Sequence, residues 1–300
     1  MFAKKRIFLV ALMAAICIIA PVLCMCSVGK GEEENTMRVL TLWQIDGFEG
    51  GKGSRAQYLQ DKADECFDGS PVYVRVTSLS AEAARKNMSA GTLPDIISYA
   101  AGFYGLEQYI NPSFQSVSWC RGGYCLLALG DNADFSDVNA HNTVINEGKD
   151  NLSALAAMFE GLNGAEKLNS TSAYLKLIGG KYKYLLGTQR DIYRLQTRGE
   201  TFSVKAITSF NDLYQNISVL CNGEDYDSAV KFVNYLLSHN DDLDKIGMIS
   251  SSTNYTGAMQ IVASADYQYI LNTFVGEDYI KRLKDAANGC DINLAKSLLK

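Results

Sequence analysis

The chain has 300 residues, 47% of them hydrophobic, which is enough apolar material for one large core or two modest ones. It has 28 basic and 33 acidic side chains, giving a formal net charge of −5. The basic residues are spread along the chain and form no patch that would follow a phosphate backbone. We therefore expect a globular protein that does not bind nucleic acid.

The N-terminal segment has the pattern of an export signal. Lys4, Lys5 and Arg6 precede an apolar run that ends at Cys26, as in a basic n-region followed by an apolar h-region. Residues 1–26 are predicted to be a signal peptide or an uncleaved membrane anchor, since a spanning helix takes roughly 20 residues. Residues 27–37 are a polar tether. Either way, we expect the domain to be extracytoplasmic, anchored to the outer face of the cell membrane.

Cys24 and Cys26 are candidates for lipidation. A lipid on either cysteine, followed by the hydrophilic tether, would anchor a binding domain to the membrane. Leu23 and Met25 precede them, whereas lipoprotein signals place a small residue there. A lipid anchor and an uncleaved helix therefore both stay open.

The remaining cysteines do not form a metal motif. There is no C-x-x-C pair and the chain has only two histidines, so we expect no zinc site and no other metal. Cys120 and Cys125 could form a disulfide in an oxidising location. Two free thiols are an equally good prediction.

Hydrophobic patterning predicts an N-terminal α/β lobe over residues 38–129. It contains strands at R-V-L-T-L-W, V-Y-V-R-V and D-I-I-S-Y, with a helix capped by Ser54 and Gln57 and another that starts at Ser80 and ends at Gly91. Tyr124 to Leu129 is predicted to be its last strand.

Residues 130–300 are predicted to form a second, helix-rich lobe with return strands and C-terminal helices. Residues 104–121 and 132–149 have the composition of loops. A helix is predicted to be capped by Asp227.

The glycine loop G-F-E-G-G-K-G-S-R fits a nucleotide site poorly. Gly51, Gly53 and Ala56 satisfy G-x-G-x-x-A, but the loop is long and the protein is predicted to be exported. In a phosphate loop, Asp46 would replace the first glycine and Gly53 the magnesium ligand. We therefore expect no cofactor, and predict a turn whose amides face a polar ligand.

Several aromatic residues fall at or just after predicted strand ends, where open α/β sheets bind ligands. Trp43, Tyr99 and Trp119 are among them. Aromatic rings stack on the C–H faces of sugars. Packing in the core is the competing interpretation and is favoured for any single aromatic. Trp43 and Trp119 are the best exceptions, because each sits beside polar residues.

Gln189, Arg190 and Asp191 form a polar cluster after an apolar strand. Arg194 lies one helical turn beyond Arg190, so a local ion-pair network with Asp191 and a ligand-binding cluster are equally supported. Asp131, Asp134 and Asp137 are predicted to be a solvated acidic loop, since a glycosidase needs two carboxylates that face each other across a cleft.

Four stretches of the sequence together resemble family 1 extracellular solute-binding lipoproteins, the sugar-binding type that serves ABC importers. They are T-L-W-Q-I-D-G-F-E-G-G-K-G-S-R, A-G-T-L-P-D-I-I-S-Y, W-C-R-G-G-Y and L-L-G-T-Q-R-D-I-Y-R-L. The resemblance covers most of residues 38–250. It implies an α/β, periplasmic-binding-protein-like fold of type II with two lobes. The chain is shorter than usual members between Asp131 and Tyr182, so the second lobe is predicted to be reduced and more helical.

The resemblance also implies a site and a function. The implied ligand is a sugar or oligosaccharide, the common solute of this family. It would bind between the lobes without catalysis and would then pass to ABC permease subunits. The ligand-binding candidates are Trp43, Asp46, Asp95, Tyr99 and Trp119 from the first lobe, and Gln189 and Arg190 from the second. The alternatives are a membrane-anchored interaction or structural module on a degenerate binding fold, and a secreted carbohydrate-active enzyme.

Overall fold

The first strand begins at Arg38, where the polar tether gives way to alternating β-branched and large apolar residues. The computed structural model describes residues 37–45, 53–100, 102–148, 151–250, 255–271 and 275–300. The predicted signal segment with Cys24 and Cys26, most of the tether and Asp46 lie outside these ranges. Val39–Lys300 is one compact unit.

The described ranges contain strands and helices of ordinary length. The strands are β1 Arg38–Ile45, β2 Val72–Leu79, β3 Ile96–Ala100, β4 Val117–Arg121, β5 Tyr124–Leu129, β6 Thr143–Asn146, β7 Glu166–Leu168, β8 Tyr184–Thr188, β9 Phe202–Ala206, β10 Phe210–Asn211, β11 Tyr214–Val219 and β12 Tyr269–Ile270. The α-helices are α1 Arg55–Cys66, α2 Ala81–Ser89, α3 Ser153–Phe159, α4 Ser170–Ile178, α5 Gln189–Thr197, α6 Glu224–Ser238, α7 Gly257–Ala263, α8 Glu277–Asn288 and α9 Ile292–Leu298.

The first sheet has five strands in the order β2-β1-β3-β11-β4. β1 is parallel to β3, while β11 runs antiparallel to both β3 and β4. Helices cover both faces. Leu40, Leu42 and Trp119 pack against α1 and α6 on one face, and Trp43 and Tyr99 pack against α2 on the other.

The second sheet also has five strands, in the order β7-β6-β8-β5-β9. β6 and β8 are parallel, and β5 is antiparallel to β8 and β9. β10 and β12 form a separate parallel pair. Six of the described helices, α3, α4, α5, α7, α8 and α9, belong to this half of the molecule. The larger helical share agrees with the prediction, while the sheet has as many strands as the first.

The strand pairing places the boundary between the lobes earlier in the chain than the predicted one after residue 129. β5 was assigned to the first lobe, but it pairs with β8 and β9, so the chain leaves the first sheet after Arg121. β11 and α6 then return to the first sheet, although residues 130–300 were all predicted to belong to the second lobe. We use "first lobe" for residues 38–121 with 214–250, and "second lobe" for 124–211 with 255–300.

Local signals placed many elements correctly. Ser54 accepts a hydrogen bond from the Gln57 amide at the start of α1, and Ser80 caps α2 in the same way. Two regions predicted as loops contain strands, β4 and β6. α6 begins at Glu224 after Gly223, so the cap predicted at Asp227 is wrong.

No helix within the described ranges is long and apolar enough to cross a membrane.

Trp119 is expected to contribute strongly to the stability of the first lobe. Its indole Nε1 donates to Ser98 Oγ at 2.9 Å, and its ring stacks on Tyr58 at 6.0 Å between centroids. Trp119→Ala should lower the free energy of unfolding by about 3–5 kcal/mol, because it leaves a cavity.

Urea unfolding followed by the fluorescence of Trp43, which lies in the same lobe, would measure this loss. Tyr73→Ala on β2, where the side chain is 42% exposed, is the control and should change stability by less than about 0.5 kcal/mol. Equal unfolding midpoints for the two variants would contradict the assignment.

Candidate functional site

Two described chain segments cross between the lobes and lie side by side. The first is Gly122 and Gly123, and the second is Asp212 and Leu213. The Gly122 amide donates to the Leu213 carbonyl at 2.6 Å, and Asn211 Nδ2 donates to the Gly122 carbonyl at 3.1 Å. Just before the first crossing, the Arg121 backbone exchanges two 2.9 Å hydrogen bonds with Ile249.

A cavity of about 210 Å³ opens beside these crossings, and we call it the site cavity. Both lobes contribute to its wall. The first lobe supplies Arg55, Ala100, Tyr214, Gln215 and Met248, the second lobe supplies Gly148, Asn151, Thr188, Gln189 and Arg190, and the crossing supplies Asp212 and Leu213.

Strand and helix termini place these side chains. Ala100 ends β3 and Arg55 begins α1, while Thr188 ends β8 and Gln189 begins α5. Carboxyl ends of parallel strands are where open α/β sheets bind ligands. Both lobes therefore turn that edge toward the site cavity.

The start of α5 is held by a buried carboxylate. Thr188 and Asp191 form a reciprocal capping box, and Asp191 Oδ2 also accepts from Asn146 Nδ2 at 2.7 Å. Burial raises the pKa of Asp191, although these donors and Arg194 at 3.5 Å favour the ionised form. The capping box occupies the first backbone N–H groups of α5. The helix therefore contributes to the cavity through its side chains.

Gln189 is 3% exposed, and only the oxygen of its side-chain amide has a strong hydrogen-bond partner. Its Oε1 accepts from the Gly123 amide at 3.0 Å. Its Nε2 contacts Met248 Sδ at 3.3 Å, and a thioether is a weak acceptor. A Cβ on Gly122 would overlap this amide, so glycine is required there.

Other acceptors in the wall are already engaged. Gln215 Oε1 accepts from Gln44 Nε2 at 3.2 Å, and Asn151 Oδ1 accepts from the Ser153 amide at 3.2 Å. Gln44 Oε1 is buried and has no hydrogen-bond partner among the described residues.

Asp212 is the buried carboxylate of the crossing. Oδ1 accepts from the Tyr124 hydroxyl at 2.7 Å, and Oδ2 accepts from the Leu152 amide at 2.8 Å. Burial raises its pKa to about 6, with these two hydrogen bonds acting in the opposite direction.

A larger cavity of about 480 Å³ continues from the site cavity and shares Ala100, Asn151 and Asp212 with it. It lies between α2 of the first lobe and α8 of the second. The Arg85 guanidinium stands 4.5 Å above the Tyr104 ring on one side, and Lys281 and Lys284 line the other. The two cavities form one cleft.

The residues predicted to bind ligand fall into two groups. Gln189 and Arg190 line the site cavity, and their contact with ligand stays a prediction. Trp43, Tyr99 and Trp119 are 8%, 2% and 1% exposed and belong to the cores of the first lobe. Core packing is thus the correct interpretation of all three, because helices cover both faces of their sheet.

Asp95 stands just before β3, at the opposite end of this strand from the cavity. Its carboxylate accepts from the Thr41 amide at 2.7 Å and from the Thr41 hydroxyl at 2.8 Å, tying the loop before β3 to β1. Its position corrects the cleft role expected for Asp95.

Cys120 and Cys125 are not joined by a disulfide. They are buried in the cores of different sheets, so the disulfide alternative does not hold in this structure.

Sequence reasoning missed most of the cavity wall. Arg55 was seen only as part of the glycine loop, and Gln215, Asn151 and Asp212 carried no motif. The signal that could have found Gln215 and Asp212 is the run of polar residues before and at the start of β11, a strand that is largely buried.

Comparisons with known proteins place the fold. No protein-family model and no curated protein matches the chain. Among solved structures, the spermidine/putrescine ABC transporter substrate-binding protein PotD from Streptococcus pneumoniae aligns over 88% of this chain and 100% of its own, with 11% identity and a TM-score of 0.52. The maltose/maltodextrin-binding domain MalE from Bdellovibrio bacteriovorus, bound to maltotriose, aligns over 87% and 95%, with 12% identity and a TM-score of 0.53. These likenesses confirm the predicted periplasmic-binding-protein-like α/β fold.

Asp212 predicts a particular pH dependence of stability. Because its pKa rises from 3.8 to about 6 on folding, the folded chain keeps a proton that the unfolded chain releases between these values. Its contribution to the free energy of unfolding should therefore fall by about 2 kcal/mol as pH rises from 4 to 7.

Urea unfolding of the natural chain and of Asp212→Asn at pH 4 and pH 7 isolates this effect, since other carboxylates such as Asp191 are common to both. The variant should gain about 2 kcal/mol relative to the natural chain over that range. Parallel pH profiles would show that Asp212 is not the group that titrates.

Gly122 predicts a coupling between the hinge and the site. Gly122→Ala forces the Gln189 amide to move and should cost about 1–3 kcal/mol of stability. In a Gln189→Ala background the overlap is gone, so the same substitution should cost less than about 1 kcal/mol. Unfolding free energies of the four proteins give the coupling, and additive effects would refute it.

Proposed function

We propose that this protein is an extracytoplasmic solute-binding protein of an ABC importer, which binds its ligand between the two lobes without catalysis. One observation carries the proposal: a cavity beside the two described crossing segments receives strand-end and helix-start side chains from both lobes. Such an arrangement lets rotation about the crossings open and close the cavity around a ligand.

The structural likenesses support solute binding and leave the solute class open. By their names, one neighbour binds spermidine and putrescine and the other is bound to maltotriose. A polyamine is a flexible cation, while a maltodextrin is a neutral chain of hydroxyls. The class must therefore be argued from the cavity of this chain.

A carbohydrate fits the proposal through hydrogen bonds more than through stacking. The aromatic residues predicted to stack on a sugar are in the cores, and Tyr214 is the aromatic residue that lines the described wall of the site cavity. Gln189, Asn151 and the two arginines supply donors for sugar oxygens. We therefore keep a sugar as the proposed ligand, bound mainly by its oxygen atoms.

Binding without catalysis is supported by the carboxylates. Glycoside hydrolysis uses two carboxyl groups on opposite sides of the scissile bond. In the described cleft, Asp212 is held by Tyr124 and Leu152, while Glu277 and Asp285 both lie on α8, on one side of the larger cavity.

The N-terminal segment completes the proposal. Residues 1–26 would export the chain and anchor it, through a lipid on Cys24 or Cys26 or as an uncleaved helix. The tether of residues 27–37 would hold the lobes close to ABC permease subunits on the outer face of the membrane.

Ligand binding should stabilise the chain and compact it. A solute at 100 times its dissociation constant should raise the free energy of unfolding by about 2.7 kcal/mol, measured by thermal shift across a panel of sugars, sugar acids, amino acids and peptides. Closure should also reduce the radius of gyration in X-ray scattering. Gln189→Ala should weaken the affinity about 2- to 12-fold, since a hydrogen bond to the ligand is lost.

Asp95→Ala is the matched control, because Asp95 was predicted to bind ligand but lies at the other end of β3. It should lower stability and leave the affinity of the folded protein unchanged. If no member of the panel shifts the transition, the chain is not a solute receptor, and the anchored interaction module is the better description.

A further inference from the structure

The cleft is more basic than the protein that contains it. The whole chain has a formal net charge of −5. The described walls of the two cavities contain five basic side chains, Arg55, Arg85, Arg190, Lys281 and Lys284, against three acidic ones, Asp212, Glu277 and Asp285. A concentration of positive charge in a cleft of a negatively charged protein raises the local concentration of anions.

The site cavity also offers mostly hydrogen-bond donors. Its amide and carboxylate oxygens each accept a hydrogen bond within the protein: Gln189 Oε1 from Gly123, Gln215 Oε1 from Gln44, and the two oxygens of Asp212 from Tyr124 and Leu152. A ligand rich in acceptor oxygens therefore suits this cavity better than one rich in donors.

Three side chains supply the donors. Gln189 is 3% exposed, and its Nε2 faces a thioether that cannot satisfy two N–H groups. Arg55 and Arg190 line the same cavity from opposite lobes, and each guanidinium has five N–H donors, so it can bind a ligand in addition to its contacts in the protein. Guanidinium groups match the geometry of carboxylate and phosphate oxygens.

We propose that the site cavity binds an anionic head group, a carboxylate or a phosphate, between Arg55 of the first lobe and Arg190 of the second, with Gln189 as a further donor. This inference rests on the proposed solute-binding function and narrows its ligand to an acid. Because the two arginines are on different lobes, the anion would draw the lobes together and favour the closed form.

The negative charge of Asp212 does not reverse this balance. Its two oxygens are held by neutral donors on the side of the second lobe, and two guanidinium groups face the same cavity. The larger cavity of about 480 Å³ then gives room for the rest of the solute beside Phe103, Tyr104 and Ile280. A free inorganic oxyanion and the acidic end of a larger solute present the same oxygens to the arginines.

The test compares pairs of solutes that differ only in charge. Isothermal titration of the purified full chain with galacturonate against galactose, and with glucose 6-phosphate against glucose, should show at least about tenfold tighter binding of one acid than of its neutral partner. Inorganic phosphate and sulfate are titrated alongside, to separate a free oxyanion from a head group. Binding of the acid should weaken as sodium chloride is added.

Arg190→Gln and Arg55→Gln should each remove most of this preference while the far-ultraviolet circular dichroism stays that of the natural chain. Arg198→Gln is the matched control, since this exposed arginine at the end of α5 stands over the Tyr174 ring and does not line the cleft. It should keep the full preference. If one of the two cavity variants fails to fold, the other and the salt dependence of the natural chain decide the question.

The outcomes separate the two proposals. A preferred acid that loses its advantage in Arg190→Gln supports the anionic head group, and tight binding of phosphate or sulfate alone supports it with an inorganic solute. A neutral sugar bound as tightly as its acid overturns this inference and leaves the solute-binding function intact. If none of these solutes binds while the wider panel contains a ligand, this inference alone is overturned, and if neither set binds, the solute-binding function is overturned with it.

Discussion

The backbone at Gly122 and Gly123 has no room for a side chain, and the relation between the two lobes depends on this. The Gln189 amide fills the space beside Gly122, while Tyr267 and Val262 fill the space beside Gly123. The backbone of Gly122 donates to Leu213 and accepts from Asn211, which brings two crossings into contact. A side chain at either glycine would push the start of α5 or the helix α7 away. The cavity has its shape because these elements approach so closely.

Two buried carboxylates have different roles beside this crossing. Asp191 joins the cap of α5 to Asn146 on β6, so it orients Gln189 and Arg190 without reaching the cavity itself. Gly187 on β8 leaves the space for this carboxylate, since a Cβ there would lie 2.6 Å from Asp191 Oδ2. Asp212 instead lines both cavities and is held by Tyr124 and Leu152. Because the protein satisfies its own acceptors in this way, the donors and cations of the wall set the chemistry of the ligand.

The tryptophans show why a motif near a strand end is a weak guide to a binding site. Trp43 and Trp119 stand within β1 and β4, and helices cover both faces of their sheet, so every large side chain in these strands is needed for packing. Gln189 and Arg190 follow their strand directly, at the first turn of a helix, where side chains can face the space between the lobes. Whether a residue lies within a strand or just after it depends on the strand boundary, which sequence patterns predict only to within a few residues.

Interactions between residues close in sequence made the helices and strands of the first lobe predictable. Ser54 and Ser80 cap their helices, Gly91 ends one in a left-handed conformation at φ 81°, and alternating residues specify β2. Local sequence also predicted the α/β class and the polar start of α5, and it predicts an export signal. Each of these depends on residues that are neighbours along the chain. Sheet membership was not predictable in this way: β5 pairs with the second sheet and β11 with the first, through hydrogen bonds between residues far apart in sequence. The meeting of Arg55, Gln215, Asp212 and Arg190 in one cavity was likewise decided by tertiary structure alone, since only the packing of the two sheets around the glycine crossing brings these distant positions together.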